Sequence, residues 1–367
     1  MKLLLSFFFF FLASSAHACT AFSITAKDHS KIYGRSMEFG FRLDSELLIV
    51  PRGTEYIGTS AGEAKGIHWQ TKYGYVGMNQ SFASTYVSDG MNEKGLVVGA
   101  LYFPHFAQYQ EPDSSRIEQT LGSWEVPSYL LATCASVDEA KRALDSLLVA
   151  QEPVPNPIPG MKDFVLPLHY YISDAQGNIL VVEYIKGQRK EYNNPLGVLT
   201  NSPSFEWHLT NLSNYVNLSP ENVSSLALSH GTVRGFGQGT GLLGIPGDYT
   251  PPSRFVRAVL FTSWVKEPKN ASDAVRTGFH LLNAFDIAEG VIRPRKGSPL
   301  KEEITEWVVI HDQTHTKTFF RGYDSLKIQM VDLSQLDFTQ PGLQTISISK
   351  NFFAQDVTKT TKPFAAK

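Results

Sequence analysis

Residues 13–40 read ASSAHACTAFSITAKDHSKIYGRSMEFG, and the reading of this stretch decides the rest. Ahead of it, Lys2 gives a basic start and Leu3 to Leu12 an apolar run, and Ala16-His17-Ala18 then forms a small-x-small cleavage site. That order is the pattern of a secretory leader. Cleavage after Ala18 would leave Cys19 as the first residue and put a thiol and a free α-amine on one amino acid. An ordinary thiol titrates near about 8.5 and an α-amine near about 7.7–8.0. Such an amine can therefore accept the thiol proton directly or through one water, and later protonate a leaving amine. On this reading export makes the catalyst. A cysteine behind a leader also fits the lipid anchor of a lipoprotein, which would cap that amine. Lipoprotein leaders usually carry a large aliphatic residue three places before the cysteine. Ala16 stands there, and Ala-x-Ala favours ordinary cleavage.

Downstream, Thr20 to Ala26 and Lys31 to Phe39 alternate apolar and polar residues around Asp28-His29-Ser30, a hairpin signal. That hairpin would return Arg35 beside Cys19. A guanidinium fixed there favours a thiolate, whereas Arg35 taken alone reads as a surface salt-bridge residue. Glu38 is a candidate anchor for the Cys19 ammonium or for Arg35; alone it is a charged strand residue.

Of 367 residues, 42% are hydrophobic and 19% charged, ordinary globular proportions. A formal charge of −2 gives no electrostatic case for nucleic acid or anionic lipid. Ten apolar residues are too few to span a bilayer, and no later run reaches about eighteen. The expectation is a soluble periplasmic or secreted protein with no membrane span. Only Cys19 and Cys134 are present. Cys134 sits in SYLLATCASV, an apolar helical pattern that suits a buried, inert thiol. Both are expected to be free.

Short strands are read at 46–50 and 73–79, separated by Gly-rich turns, and at 84–88 and 96–103 around the turn DGMNEKG. Helical spacing covers 124–135 and 137–148, with Ser136 and Glu139 as a capping box. After EPVPNPIPG, strands return at 166–173, 178–185 and 188–192, and Gly197 to Asn201 reads as a strand end. Helices follow at 204–215, at 250–265 behind Thr250-Pro251-Pro252, and at 272–288. A Gly-rich loop runs from 231 to 247. At least two strands lie in 305–332, another at 345–349, and a loose polar tail begins near 356. Strands, helices, strands, helices, strands is not βαβ alternation. Antiparallel sheets with helices on their outer faces fit better, in one domain over 19–367.

Three motifs are weak. Gly58-Thr59-Ser60-Ala61-Gly62 matches the serine elbow, which must open a helix; Glu63-Ala64-Lys65-Gly66 is a poor helix start, so a surface turn is favoured over a Ser60 hydrolase. Gly235 to Gly241 resembles a phosphate cradle but lacks the flanking strand and Gly-Lys-Ser/Thr. His311 and His315 have helical metal-site spacing, yet Trp307 to Ile310 reads as strand and no third ligand is evident, leaving solvated strand-end histidines.

Five segments occur together: Cys19-Thr20-Ala21, Gly34-Arg35-Ser36-Met37-Glu38, Asp89-Gly90-Met91-Asn92-Glu93-Lys94-Gly95-Leu96, Leu199-Thr200-Asn201-Ser202-Pro203, and Pro246-Gly247-Asp248 through Ser253 to Arg257. In this order, from Cys19 to about Asp332, the chain resembles the choloylglycine hydrolase family, which includes penicillin V acylases and conjugated bile salt hydrolases. The resemblance implies an α+β fold, the four-layer αββα sandwich of N-terminal nucleophile hydrolases. It implies that Cys19 attacks an amide carbonyl to give an acyl-thioester that water hydrolyses, with no metal or organic cofactor. Arg35 matches the arginine beside the nucleophile, Asn201 an oxyanion-hole asparagine and Arg254 a second active-site arginine. Without the resemblance, Asn201 is a turn residue before Pro203. Glu38 stands where many members have aspartate. Tyr102 stands where bile salt hydrolases usually have asparagine and penicillin V acylases often have tyrosine; its N–H is the candidate second oxyanion donor and its ring a flat wall. The substrate implied is a small N-acyl amide, in the order penicillin V, N-acyl homoserine lactone, conjugated bile salt. Family members are commonly homotetramers.

Overall fold

The computed structural model describes residues 18–60, 65–155, 163–297 and 301–360, so all of the expected leader but Ala18, most of EPVPNPIPG and the last seven residues lie outside it. The chain opens on the expected hairpin, β1 (Cys19–Thr25) and β2 (Lys31–Phe39). Its turn is closed by Asp28 Oδ1, which accepts the Ser30 N–H at 3.1 Å. There follow β3 (Glu46–Val50), β4 (Glu55–Thr59), β5 (Lys65–Gln70), β6 (Tyr75–Gln80), β7 (Ala83–Asn92), β8 (Val97–Tyr102) and β9 (Thr120–Gly122). Helices α1 (Val126–Thr133) and α2 (Val137–Ser146) lead to β10 (Leu148–Ala150), β11 (Leu168–Ser173), β12 (Ile179–Ile185), β13 (Gln188–Asn193) and β14 (Val198–Leu199). The remainder is α3 (Phe205–Asn211), β15 (Leu226–Leu228), β16 (Gly231–Val233), α4 (Pro251–Trp264), α5 (Ala271–Leu282), β17 (Ile304–Asp312), β18 (Lys317–Gly322), β19 (Gln329–Asp332) and β20 (Gln344–Ser347).

Two antiparallel sheets face each other. One runs β14-β1-β2-β17-β18-β19, the other β13-β12-β11-β8-β7-β6-β3-β20. Strand alternation on β2 sends Tyr33, Arg35 and Met37 inward. Tyr33 Oη reaches Asp89 on β7, and Arg35 reaches the carbonyls of Ser88 and Ala100. The outer faces carry helices. Gly278 on α5 fits against β17 because an added Cβ would come within 2.8 Å of Ile310. On the other side, Ser128 of α1 accepts the Val87 N–H of β7 at 3.0 Å. The result is the expected four-layer αββα sandwich, with its core between the sheets.

Several local expectations are corrected. β7 continues through Asp89 to Asn92, so only Glu93-Lys94-Gly95 turns. Asp89 stays in the strand because its buried carboxylate is fully engaged by neighbours, while Asn92 Oδ1 shapes the turn by accepting from Lys94 and Leu96 N–H. The Gly-rich region after β3 holds a hairpin, β4–β5, and the 231–247 loop shares the exposed β15–β16 hairpin. Thr250 does not cap α4 with its side chain. Thr250 nevertheless sits at the N-cap ahead of Pro251 and Pro252 as read, and Asp248 holds it there, accepting from Thr250 N and Ser253 Oγ. Ser136 caps α2 as read, but Glu139 reaches back to Ala135 N–H.

Candidate active site

Cys19 starts β1 opposite Met37 and is 1% exposed. Its Sγ lies 3.8 Å from Met37 Sδ and 3.7 Å from Arg35 Nη2. Arg35, two residues before Met37, shares its inner face. Ser88 O (2.9 Å), Ala100 O (2.6 Å) and Asp89 Oδ2 (3.3 Å) fix its guanidinium. Burial alone would lower the Arg35 pKa, but the Cys19 sulfur, Asp89 and Tyr33 outweigh it and the net shift is upward. Arg35 is thus a permanent cation held against the sulfur. Asp89 anchors it in turn, accepting from Tyr33 Oη (2.7 Å) and His311 Nε2 (2.9 Å). His311 is therefore buried, not the solvated residue its position at a strand end implied. His315 ion-pairs with Asp312 at half exposure, and among the described residues no cluster of three His, Cys, Asp or Glu side chains can hold a metal.

β14 pairs with β1 and ends two residues before Asn201, which carries that residue to Cys19. Asn201 Oδ1 accepts the Cys19 N–H at 2.8 Å and Arg254 Nη2 at 2.6 Å, while its Nδ2 donates to Tyr102 O at 2.8 Å. Phe103 N–H bonds across to Pro167 O. Since N–H and C=O of one strand residue share an edge, the Tyr102 N–H faces the Asn201 side. Arg254, in the first turn of α4, donates to Cys19 O, to Thr20 Oγ1 (2.9 Å) and to Tyr249 O (2.9 Å). Its complete burial lowers its pKa against the pull of Glu38, Cys19 and Glu303.

Glu38 does not meet the Cys19 nitrogen or Arg35 in any observed hydrogen bond. Alternation on β2 turns it to the helix-covered face, where Oε1 accepts from Thr305 Oγ1 (3.3 Å) and Oε2 has no hydrogen-bond partner among the described residues. Burial pushes its carboxyl up to about 8, offset in part by Arg254. With Ala18 still attached, the Cys19 nitrogen is held by Asn201. Ser60 is not among the residues lining the cleft that opens above Cys19, and it is buried rather than on the surface turn expected: it follows β4 at 4% exposure, and β5 begins at Lys65. Ala61 to Ala64 fall outside the described residues.

Five buried groups escaped the sequence reading. Besides Asp89 and His311, two imidazoles hold consecutive carbonyls at the end of β14. His169 Nε2 meets Thr200 O at 3.0 Å, and His208 Nε2 meets Asn201 O at 2.8 Å. Burial lowers the His208 pKa to about 4, so the ring is neutral at pH 7 and its Nε2–H donates. The fifth is Glu303, whose Oε1 accepts the Ala18 N–H. Asp89 and His311 lay in motifs quoted from the sequence but were read as a turn residue and a solvated strand end; His169 and His208 sit in stretches whose pattern reports strand or helix alone, and Glu303 just ahead of one.

A narrow cleft opens above Cys19 and Arg35. Met37, Phe39, Phe82, Tyr86, Tyr102, Trp124 and Leu168 line it, and Gln80 and Ser88 supply polar groups. Phe39 meets the Tyr102 ring edge-on at 6.1 Å, and Tyr86 meets Trp124 edge-on at 4.7 Å. This is an apolar, aromatic cleft with a thiol at its floor.

Residues 19–346 match the family described as linear amide C-N hydrolases, choloylglycine hydrolase family. The chain belongs to the choloylglycine hydrolase family. A bile salt hydrolase/transferase of Clostridium perfringens is 32% identical over 339 residues, 90% of this chain and 97% of the relative. A penicillin V acylase of Pectobacterium atrosepticum is 28% identical, covering 89% of this chain and 83% of the relative. Among solved structures, a mutant of the C. perfringens conjugated bile acid hydrolase superposes with a TM-score of 0.82 at 30% identity, over 93% of this chain and all of the other. Penicillin V acylase from Agrobacterium tumefaciens superposes with a TM-score of 0.71 at 23% identity over 90% and 91% of the two chains, which speaks for the shared fold. As a choloylglycine hydrolase family member with the N-terminal nucleophile hydrolase fold, the protein is a linear amide C–N hydrolase. Among the described residues, no helix is long and apolar enough to cross a membrane.

Proposed function

We propose that the protein is an exported amidohydrolase whose Cys19, freed by cleavage after Ala18, is the nucleophile for small N-acyl amides. One observation carries this: the Cys19 nitrogen is held at 2.8 Å by Asn201 Oδ1 while its sulfur faces Arg35 and the floor of the cleft. The amine takes the thiol proton and the sulfur attacks the amide carbon, with Arg35 stabilising charge on sulfur. The second N–H of Asn201 Nδ2 and the backbone N–H of Tyr102 receive the oxyanion. Arg254 fixes Asn201 and the Cys19 carbonyl. The ammonium then protonates the departing nitrogen, leaving an acyl-thioester. A water, deprotonated by the same amine, attacks that thioester, and the thiolate leaves and regains its proton.

The aromatic lining and the Tyr102 ring support an aryl or alkyl acyl group. Penicillin V is the first candidate substrate, N-acyl homoserine lactones the second and conjugated bile salts the third. Self-association as a homotetramer is part of the proposal, supported by the exposed apolar side chains Val223, Leu226, Leu228, Val233 and Phe236 on and around the β15–β16 arm. The leader and Ala-x-Ala site support periplasmic or secreted localisation. The test combines N-terminal sequencing, iodoacetamide and a hydrolysis panel of penicillin V, acyl homoserine lactones and glycocholate. A free Cys19 terminus and inactivation by alkylation of Cys19, with Ser60→Ala active, are expected. A blocked, detergent-partitioning terminus, or activity surviving alkylation, overturns the proposal.

A further inference from the structure

We propose that Glu303 is a positioning residue for the N-terminal amine: when residues 1–18 leave, the carboxylate that accepts the Ala18 N–H receives the ammonium of Cys19, directly or through one water. The inference rests on the processing proposed above. Glu303 immediately precedes β17 and is 3% exposed, with its backbone fixed by its N–H bond to Ile292 O. Oε1 accepts the Ala18 N–H at 2.5 Å, and Oε2 has no partner among the described residues. Removing Ala18 therefore strips a buried carboxylate of its observed donor. An uncompensated buried charge is strongly unfavourable, so the Glu303 carboxyl, whose pKa burial already raises to about 7, either takes up a proton or takes a new cationic donor.

Two cations are at hand. Arg254 has four of its five N–H groups committed, to Tyr249 O, Cys19 O, Thr20 Oγ1 and Asn201 Oδ1. The other is the ammonium created by cleavage, one residue along the chain from the lost donor. It gains two N–H groups where Ala18 had been, and Asn201 Oδ1 already holds the third. Glu38 lies on the other side of the vacated place, its own N–H bonded to Ala18 O at 2.9 Å. The charged and titratable groups facing the amine are Glu303, Glu38 and Arg35 on β2, the Cys19 thiol and Arg254 on α4, with Asp248 and Asp286 behind them. Glu303 shares the opening of the vacated space with the amine, and it is the carboxylate whose hydrogen bond cleavage removes.

The chemistry requires the amine in its neutral form, and a carboxylate partner holds the proton on it. Amine and Glu303 titrate as a pair. Replacing an opposite charge at contact distance moves a pKa by about one unit or more. In protein verified by intact mass to begin at Cys19, Glu303→Gln is expected to shift the acid limb of kcat/KM about one unit lower. KM at the alkaline plateau stays near native. Glu303→Asp retains the charge and keeps the limb near its native position. If the Gln variant does not fold, Glu303→Met, neutral and of similar volume, reads the same limb. A limb that stays put in the neutral variant, or that falls equally in Glu303→Asp, overturns the inference. Survival of native activity after Cys19 alkylation would instead defeat the underlying mechanism, so the two failures are distinct.

Discussion

Asn201→Ala is the sharpest perturbation of the proposed site, because one amide serves three neighbours. Its Oδ1 holds the Cys19 nitrogen and Arg254, and its Nδ2 holds Tyr102 O. Loss of one oxyanion donor costs about 10²–10³ in kcat, or about 2.7–4 kcal/mol. The truncation also leaves the Arg254 Nη2 and Tyr102 O without these bonds, at about 1–3 kcal/mol each. Turnover should thus fall at least a hundredfold (the ~10² lower bound), with stability down by roughly 2–6 kcal/mol in urea unfolding. KM should move little, since the donor acts on charge formed after binding. Because acylation and deacylation pass through the same oxyanion, a pre-steady-state burst should shrink in rate along with the steady state. Asn201→Asp separates the two effects: it keeps an acceptor for Cys19 and Arg254 but removes the donor. Its kcat should fall as in the Ala variant while more of the stability survives. A folded Asn201→Ala protein turning over within about threefold of native, against the ~10²–10³ loss expected, would refute the oxyanion role.

Cys19→Ser should fold, since the sulfur makes only long contacts to Met37 and Arg35, and should lose most turnover; native rates would put the nucleophile elsewhere. A chain that retains residues 1–18 should be inactive toward the substrate panel, because an amide nitrogen is no base. His208 is neutral in the fold down to about pH 4 against an ordinary 6.5, so the unfolded chain takes up a proton there that the folded chain refuses. Stability contributed by His208 is present above pH 6.5 and is lost as pH falls toward 4, by about 3 kcal/mol at about 1.36 kcal/mol per unit. His208→Gln should show a smaller drop than native in urea midpoint between pH 7 and pH 4.5; equal drops would exclude His208 as the source. Glu38 and Glu303 act in the opposite sense, their raised values eroding stability as pH rises toward about 8 and about 7, so the comparison between variant and native isolates the histidine.

What could be read from the sequence follows physical rules of short range. The β1–β2 hairpin, α2 behind Ser136 and α4 behind Thr250-Pro251 declare themselves through alternation, caps and proline. Cys19, Arg35, Asn201 and Arg254 converge as read because a hairpin fixes the first two and strand pairing with a helix start fixes the others. Glu38 makes no observed hydrogen bond to Arg35 or the Cys19 nitrogen because it is odd-even out of step with Arg35 and Met37 along β2. β4 and β5 were missed because their glycines suggested turns. Gly58 is instead demanded by packing, its Cβ position lying 2.8 Å from Thr120 O. His169, His208, His311 and Glu303 could not be placed, because each is defined by a partner far along the chain: Glu303 and Ala18 are separated by 285 residues.

The same contacts bear on the order of events before catalysis. In the folded chain the Ala18–Cys19 bond is enclosed, with Ala18 4% and Cys19 1% exposed. Ala18 N–H is held by Glu303, Ala18 O by the Glu38 N–H and Cys19 N–H by Asn201. A protease that reads an extended Ala-x-Ala segment needs both faces of that backbone, and these are the groups the fold has taken. If the leader is removed as proposed, trimming precedes closure of β1 against β2 and β14, in keeping with the proposed export of an unfolded chain. A precursor that folded first would lock the peptide nitrogen into the Asn201 contact, complete in fold and lacking its base. Glu303, buried beside the departed residue, would then gain its new partner as the domain closes rather than after it.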